Sequence, residues 1–154
     1  MRFSKLGSMP NKDALIPVLL GRFIVAGQLM QQMKMHYSDQ DDQLRLKSMS
    51  VFLPSFVNTK TGLAMSLWLG TLYVVVEGWQ AAKLLDPEID QLLASRNVST
   101  LRRFRNWLFH FQAKHLDERF TNLAKSPDLI NGAVAVMHAF EQYFLTEMDR
   151  INAP

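Results

Sequence analysis

The residues best suited to chemistry lie in the second half of the chain, in the segment RNWLFH at residues 105–110. His110 can accept or donate a proton, because the pKa of a histidine lies close to neutrality. Arg105 stays charged at any working pH and can hold two oxygens of an anion through parallel N–H donors. Proton transfer next to a bound anion is therefore the chemistry that this segment offers.

The residues around this segment follow the period of an amphipathic helix over residues 100–111. Its apolar arc, which should face a core, consists of Leu101, Phe104, Trp107, Leu108 and Phe111. The opposite side carries Arg102, Arg103, Asn106 and His110, and Phe109 lies among these polar residues. An aromatic side chain at such a position is typical of a partner surface or of a platform on which bases stack.

The sequence here resembles the HEPN superfamily. Arg105, Asn106 and His110 match its R-x4–6-H motif, in which a polar residue, often asparagine, follows the arginine. HEPN proteins are small α-helical bundles, usually dimeric, and many are metal-independent ribonucleases of toxin–antitoxin, phage-defence and CRISPR-associated systems. The resemblance covers this short motif and the helical architecture around it.

The resemblance implies a catalytic role for Arg105, His110 and Asn106 in cleaving RNA. His110 would move the proton of a ribose 2′-hydroxyl, and Arg105 would stabilise the charge on a phosphorane-like transition state. Asn106 would orient the imidazole or contact the phosphate. Arg102, Arg103 and Phe109 are the residues we predict to bind nucleic acid, and RNA is accordingly the predicted partner.

The geometry of one straight helix does not bring the two central side chains together. Residues 105 and 110 point about 140° apart at about 100° per residue. A break in the helix between them would remove the difficulty, and so would a two-fold dimer that shares one site between two chains. The resemblance favours the dimer, and two-fold pairing is the commonest arrangement of homodimers. An antitoxin protein is a further partner that the resemblance implies.

Two other interpretations of the same features stay open. A non-enzymatic helical interaction module could use the same basic, aromatic surface to bind a protein or a nucleic acid. A membrane-associated protein built around residues 62–76 is the third interpretation. That apolar stretch would span about 22 Å as a helix, less than the roughly 30 Å of a bilayer core, so we predict a buried central helix and no membrane partner.

Composition favours an ordinary globular domain. The chain has 154 residues, of which 48% are hydrophobic and 20% charged, with a formal net charge of +3. This mildly basic balance permits an anionic partner without requiring one. There is no cysteine, so disulfides and thiolate metal sites are excluded, and we predict a cytoplasmic protein. We expect one α-helical domain over residues 1–154, in which residues 1–12 could be flexible.

Helix signals recur along the whole chain and predict an all-α, up-and-down bundle of about five to six helices, HEPN-like in architecture. The predicted helices cover residues 13–37, 43–57 with a break near Pro54, 59–84, 87 to about 96, 100–111 and 127–151. Asp86-Pro87 and Ser126-Pro127 are the clearest helix starts, and Ser99 is the predicted cap of the fifth helix.

Glu77 follows the apolar stretch and has two interpretations. We favour a position where the helix emerges to solvent or a structural ion pair, and a supporting role beside Arg105 or His110 stays open. The other histidines, His36, His115 and His138, lack the spacing of metal ligands, so we predict no metal site and no cofactor. Phosphate-binding glycine motifs and a nucleophile-elbow serine are missing from the sequence.

Overall fold

The computed structural model describes residues 12–38, 59–109 and 127–153, and within them every regular element is an α-helix. The five helices of this part are α1 (Lys12–Tyr37), α2 (Lys60–Ala81), α3 (Pro87–Leu93), α4 (Arg96–Phe109) and α5 (Pro127–Asn152). The predicted all-α class and helical bundle are confirmed. The predicted helix over residues 43–57 lies outside the described residues.

Helix α2 is the centre of the bundle. It packs along α1 and also contacts α4 and α5. Most of its apolar residues are buried or partly buried, with Trp68, Leu69, Leu72, Val75 and Val76 fully enclosed, and Leu63 is exposed. The interpretation of residues 62–76 as a buried central helix is thereby confirmed, because other helices cover this stretch on several sides.

An aromatic cluster joins three helices. Phe23 of α1 lies 5.3 Å from Phe144 of α5, and Trp79 of α2 meets Phe140 edge-on at 5.4 Å and Tyr143 at 4.7 Å between ring centroids. Such edge-to-face pairs add specific geometry to the burial of the rings. On α5, Met137, Phe140 and Phe144 are buried, whereas Met148 and Ile151 near its end are exposed.

Helix ends follow local side-chain chemistry. Thr59 Oγ1 accepts from the Gly62 amide at 2.9 Å and begins α2, and Asp86 Oδ1 accepts from the Glu88 and Ile89 amides at 3.0 Å and begins α3. The predicted start at Asp86-Pro87 is confirmed, as is the start of α5 at Pro127.

The predicted cap of α4 is wrong. The helix begins at Arg96, so Ser99 lies inside its first turn, where its hydroxyl donates to the Arg96 carbonyl at 2.7 Å. The chain leaves α3 at Leu93 and turns through only two residues, which brings the next helix start forward. A serine hydroxyl can bond to a carbonyl three or four residues earlier, so its presence does not fix a helix end.

Candidate functional site

The site is built around Arg105, where α4 crosses α2. The Nη2 atom of Arg105 donates to Glu77 Oε2 at 2.7 Å, which joins the two helices by an ion pair. The side chains are 24% exposed for Arg105 and 40% exposed for Glu77. Charge-assisted bonds of this length are strong, and partial burial reduces their screening by solvent. Of the two interpretations of Glu77 that we favoured, the structure shows the ion pair.

Two further groups fix the guanidinium of Arg105. Its Nη1 atom donates to Asn106 Oδ1 at 2.8 Å. The guanidinium carbon lies 5.8 Å from the ring centre of Tyr73, within the range of a cation–π contact. Tyr73 and Glu77 are four residues apart on α2 and therefore lie on one face of that helix, opposite Arg105.

Charge around Tyr73 is mainly positive. Burial raises the pKa of the Tyr73 phenol above its ordinary value, because the phenolate would lose hydration. The positive charges of Arg102 and Arg105 act in the opposite direction, and the carboxylate of Glu77 adds to the increase. Arg102 and Arg103 are exposed on the outer side of α4, as their positions on the helix predict.

Of the predicted site residues, the structure describes the side chains of four and leaves two outside the described part of the chain. The structure brings Arg105 and Asn106 into contact and leaves Arg102 and Arg103 exposed on the same helix. Phe109 is the last residue of α4, and its side chain, like the whole of His110, lies outside the described residues.

Tyr73 is the site residue that our sequence analysis missed. Its position in an uncharged, apolar run predicts only a core residue. The signal that could have found it is its spacing of four residues from Glu77, which places it beside any group that pairs with that carboxylate.

Chemically, the arrangement is a positioned cation that keeps donors for a further anion. A guanidinium has five N–H donors, and the bonds to Glu77 and Asn106 use two of them. The described residues contain no group of three or more histidine, aspartate and glutamate side chains placed to hold a metal ion.

Comparison with family models, with curated proteins and with solved structures finds no match to the chain.

Proposed function

We propose that the chain is a HEPN-like protein that binds RNA and cleaves it without a metal ion. The observation that carries the proposal is the fixed guanidinium of Arg105, which Glu77 and Asn106 hold at a partly exposed position beside α2. A cation whose orientation is set before the substrate binds stabilises developing charge at no cost in reorganisation.

The reaction follows from the residue types. The proton of a ribose 2′-hydroxyl passes to a base, and the oxygen attacks the adjacent phosphorus. The bond from phosphorus to the 5′-oxygen breaks, the leaving oxygen takes up a proton, and a 2′,3′-cyclic phosphate and a 5′-hydroxyl remain. His110 is the proton carrier of this proposal, and Arg105 holds the non-bridging oxygens. Asn106 supports Arg105 through the bond at 2.8 Å.

Arg102 and Arg103 extend the positive surface and attract the phosphate backbone. Both are exposed, so their charges are available to an anionic partner. Binding through such contacts weakens as salt concentration rises, because each contact releases counterions from the nucleic acid. A homodimer remains part of the proposal, since a shared cleft would bring Arg105 of one chain near His110 of another.

A second function is favoured by the same ion pair. The bond from Arg105 to Glu77 ties α4 to α2, which is what a purely structural arginine would do. In that case the basic outer side of α4 serves a non-enzymatic interaction module. The two functions differ in their need for His110.

The test is incubation of a structured RNA with purified protein in EDTA. The proposal predicts cleavage by the wild-type chain and a loss of about a hundredfold or more in His110→Ala and Arg105→Ala. His138→Ala is the matched control, because this histidine is exposed on α5 and its ion-pair partner in the described part of the chain is Glu141 of its own helix. Its activity should equal that of the wild type.

Two results would contradict the proposal that the chain is a nuclease. Cleavage that survives in His110→Ala would come from another site or from a contaminant. RNA that is bound but never cut, with binding weakened by Arg102→Gln and Arg103→Gln, would instead support the interaction module. Circular dichroism of every variant separates a loss of activity from a loss of fold.

A further inference from the structure

A half-open cleft lies between the first half of α1 and the last turns of α2. Its volume is about 530 Å³, which is within the range of pockets that hold small molecules. The walls are mainly aliphatic, and the apolar lining residues are Leu15, Val18, Leu19, Val74, Ala81 and Ala82. Gly78 and three charged residues, Arg22, Glu77 and Lys83, complete the lining.

The charges of the cleft are not balanced. The carboxylate of Glu77 is already bound to Arg105 at 2.7 Å. Arg22 and Lys83 are both exposed, and neither forms an ion pair with another residue in the described part of the chain. An apolar cavity with two cations that have no ion-pair partner among the described residues is complementary to a molecule that has an apolar body and an anionic end.

Lys83 occupies an unusual backbone position for its residue type. It is the non-glycine residue with positive φ among the described residues, at 51°. Around it the Leu84 amide donates to the Trp79 carbonyl at 3.3 Å and the Lys83 amide to the Gln80 carbonyl at 3.1 Å, which is the Schellman ending of a helix. Glycine is the usual residue there, so the lysine is held in a conformation that costs free energy.

We propose that this cleft binds a single molecule of a long-chain carboxylate. The alkyl chain lies along the aliphatic walls, and the carboxylate reaches Arg22 and Lys83 at the rim. The strain at Lys83 is then the consequence of placing an ammonium beside the cleft. A concave site between two helices favours one dissolved molecule over the flat surface of a bilayer. This proposal does not depend on the nuclease.

The binding test is calorimetric titration of the full chain with laurate below its micelle concentration. The expected result is saturable binding of one laurate per chain. Dodecyltrimethylammonium has the same chain length with a positive end, and acetate has the carboxylate without the chain. Neither should bind measurably, because the proposal requires both parts of the ligand.

Variants separate the ligand site from the fold. Arg22→Gln and Lys83→Gly should each weaken laurate binding by about tenfold, the effect of losing one charge-assisted bond. Lys83→Gly should at the same time raise the melting temperature, because glycine relieves the strained φ. Ala81→Phe should fill the cleft and abolish binding. Lys60→Gln, an exposed lysine at the opposite end of α2, is the control and should bind as the wild type does.

Three results would overturn the proposal. The first is no binding of laurate to the folded wild-type chain. The second is unchanged affinity in Arg22→Gln, Lys83→Gly and Ala81→Phe. The third is flotation with phosphatidylglycerol vesicles without binding of monomeric laurate, which would assign these residues to a membrane surface.

Discussion

Arg105 contacts three different groups, and each contact has a separate consequence. Glu77 supplies a negative charge, and Asn106 supplies a neutral hydrogen-bond acceptor. The aromatic face of Tyr73 attracts the cation. The ion pair fixes the position of the guanidinium along α2, and the other two contacts restrict its rotation. The same geometry would serve either catalysis or the stability of the fold. The contribution of Arg105 to the free energy of unfolding and its contribution to RNA cleavage therefore have to be measured separately.

The energetic contribution of the ion pair is measurable by a double-mutant cycle. We expect Glu77→Gln, Arg105→Gln and the double variant to give a coupling free energy of about 0.5–1 kcal/mol from urea unfolding. This modest value reflects the 40% exposure of the Glu77 side chain. The coupling should decrease in about 1 M KCl. A coupling free energy indistinguishable from zero at low salt would show that the pair does not stabilise the fold.

Tyr73 gives a pH-dependent prediction. Because burial raises its pKa in the folded state, the unfolded chain loses the phenol proton first as the pH rises. The stabilisation by the neutral phenol is therefore complete below about pH 10 and is lost above it. We expect the difference in free energy of unfolding between the wild type and Tyr73→Phe to be constant below about pH 10 and to decrease as the pH rises above it.

Tyr143→Phe gives a second test of the same effect. Burial also raises the pKa of Tyr143, so this variant should change with pH in the same direction. A difference in free energy of unfolding between the wild type and Tyr73→Phe that stays constant above about pH 10 would contradict the raised pKa of Tyr73.

At the scale of elements, two glycines in long helices have opposite roles. A Cβ on Gly132 of α5 would lie 2.5 Å from the Cβ of Asn97, so the missing side chain permits the close approach of α4 and α5. A Cβ on Gly21 of α1 would meet no atom within 4 Å. The two sites therefore differ in packing, while the helix propensity of the substitution is similar.

We expect Gly132→Ala to lower the free energy of unfolding by about 1–3 kcal/mol, because the Asn97 Cβ cannot move without its backbone. Gly21→Ala should raise it by roughly 0.5–1 kcal/mol through helix propensity alone. Chemical denaturation of both variants measures the difference. Equal effects in the two variants would show that the helices do not meet at Gly132.

The sequence predicted the helices better than it predicted their ends. The proline-marked starts at Pro87 and Pro127 were predicted from the sequence, because a proline at the first helical position has a fixed φ, and at Pro87 the preceding Asp86 also supplies the capping side chain. The end of α2 could not be predicted, since Lys83 adopts a conformation that its residue type disfavours. Likewise the ion pair between residues 77 and 105 depends on how two helices cross, which local periodicity does not determine.

At the scale of the molecule, the described helices form one bundle with an uneven surface. Two of them, α1 and α2, are long and apolar enough to cross a bilayer by length and composition alone. Core helices pass the same test, and 61% of the relevant window of α2 is buried inside the bundle. The corresponding window of α1 is 17% buried and exposes Val18, Ile24 and Val25. The proposed ligand cleft lies beside this apolar face.

The proposed nuclease and the proposed ligand cleft require different parts of the molecule. The nuclease requires the outer side of α4 and His110, and the ligand cleft requires α1 and the end of α2. Glu77 lies between them, because its carboxylate binds Arg105 while its side chain lines the cleft. Arg22 and Lys83 belong to the cleft and have no part in the proposed nuclease site, so their variants should leave RNA cleavage unchanged.

The most direct test of the nuclease compares two RNAs of one sequence, one all-ribose and one fully 2′-O-methylated, in EDTA. The proposed reaction needs a free 2′-hydroxyl as its nucleophile. We predict that the wild-type chain cuts the all-ribose strand to a 2′,3′-cyclic phosphate and leaves the methylated strand intact. Cleavage of the methylated strand, or no cleavage of the all-ribose strand, would contradict the account.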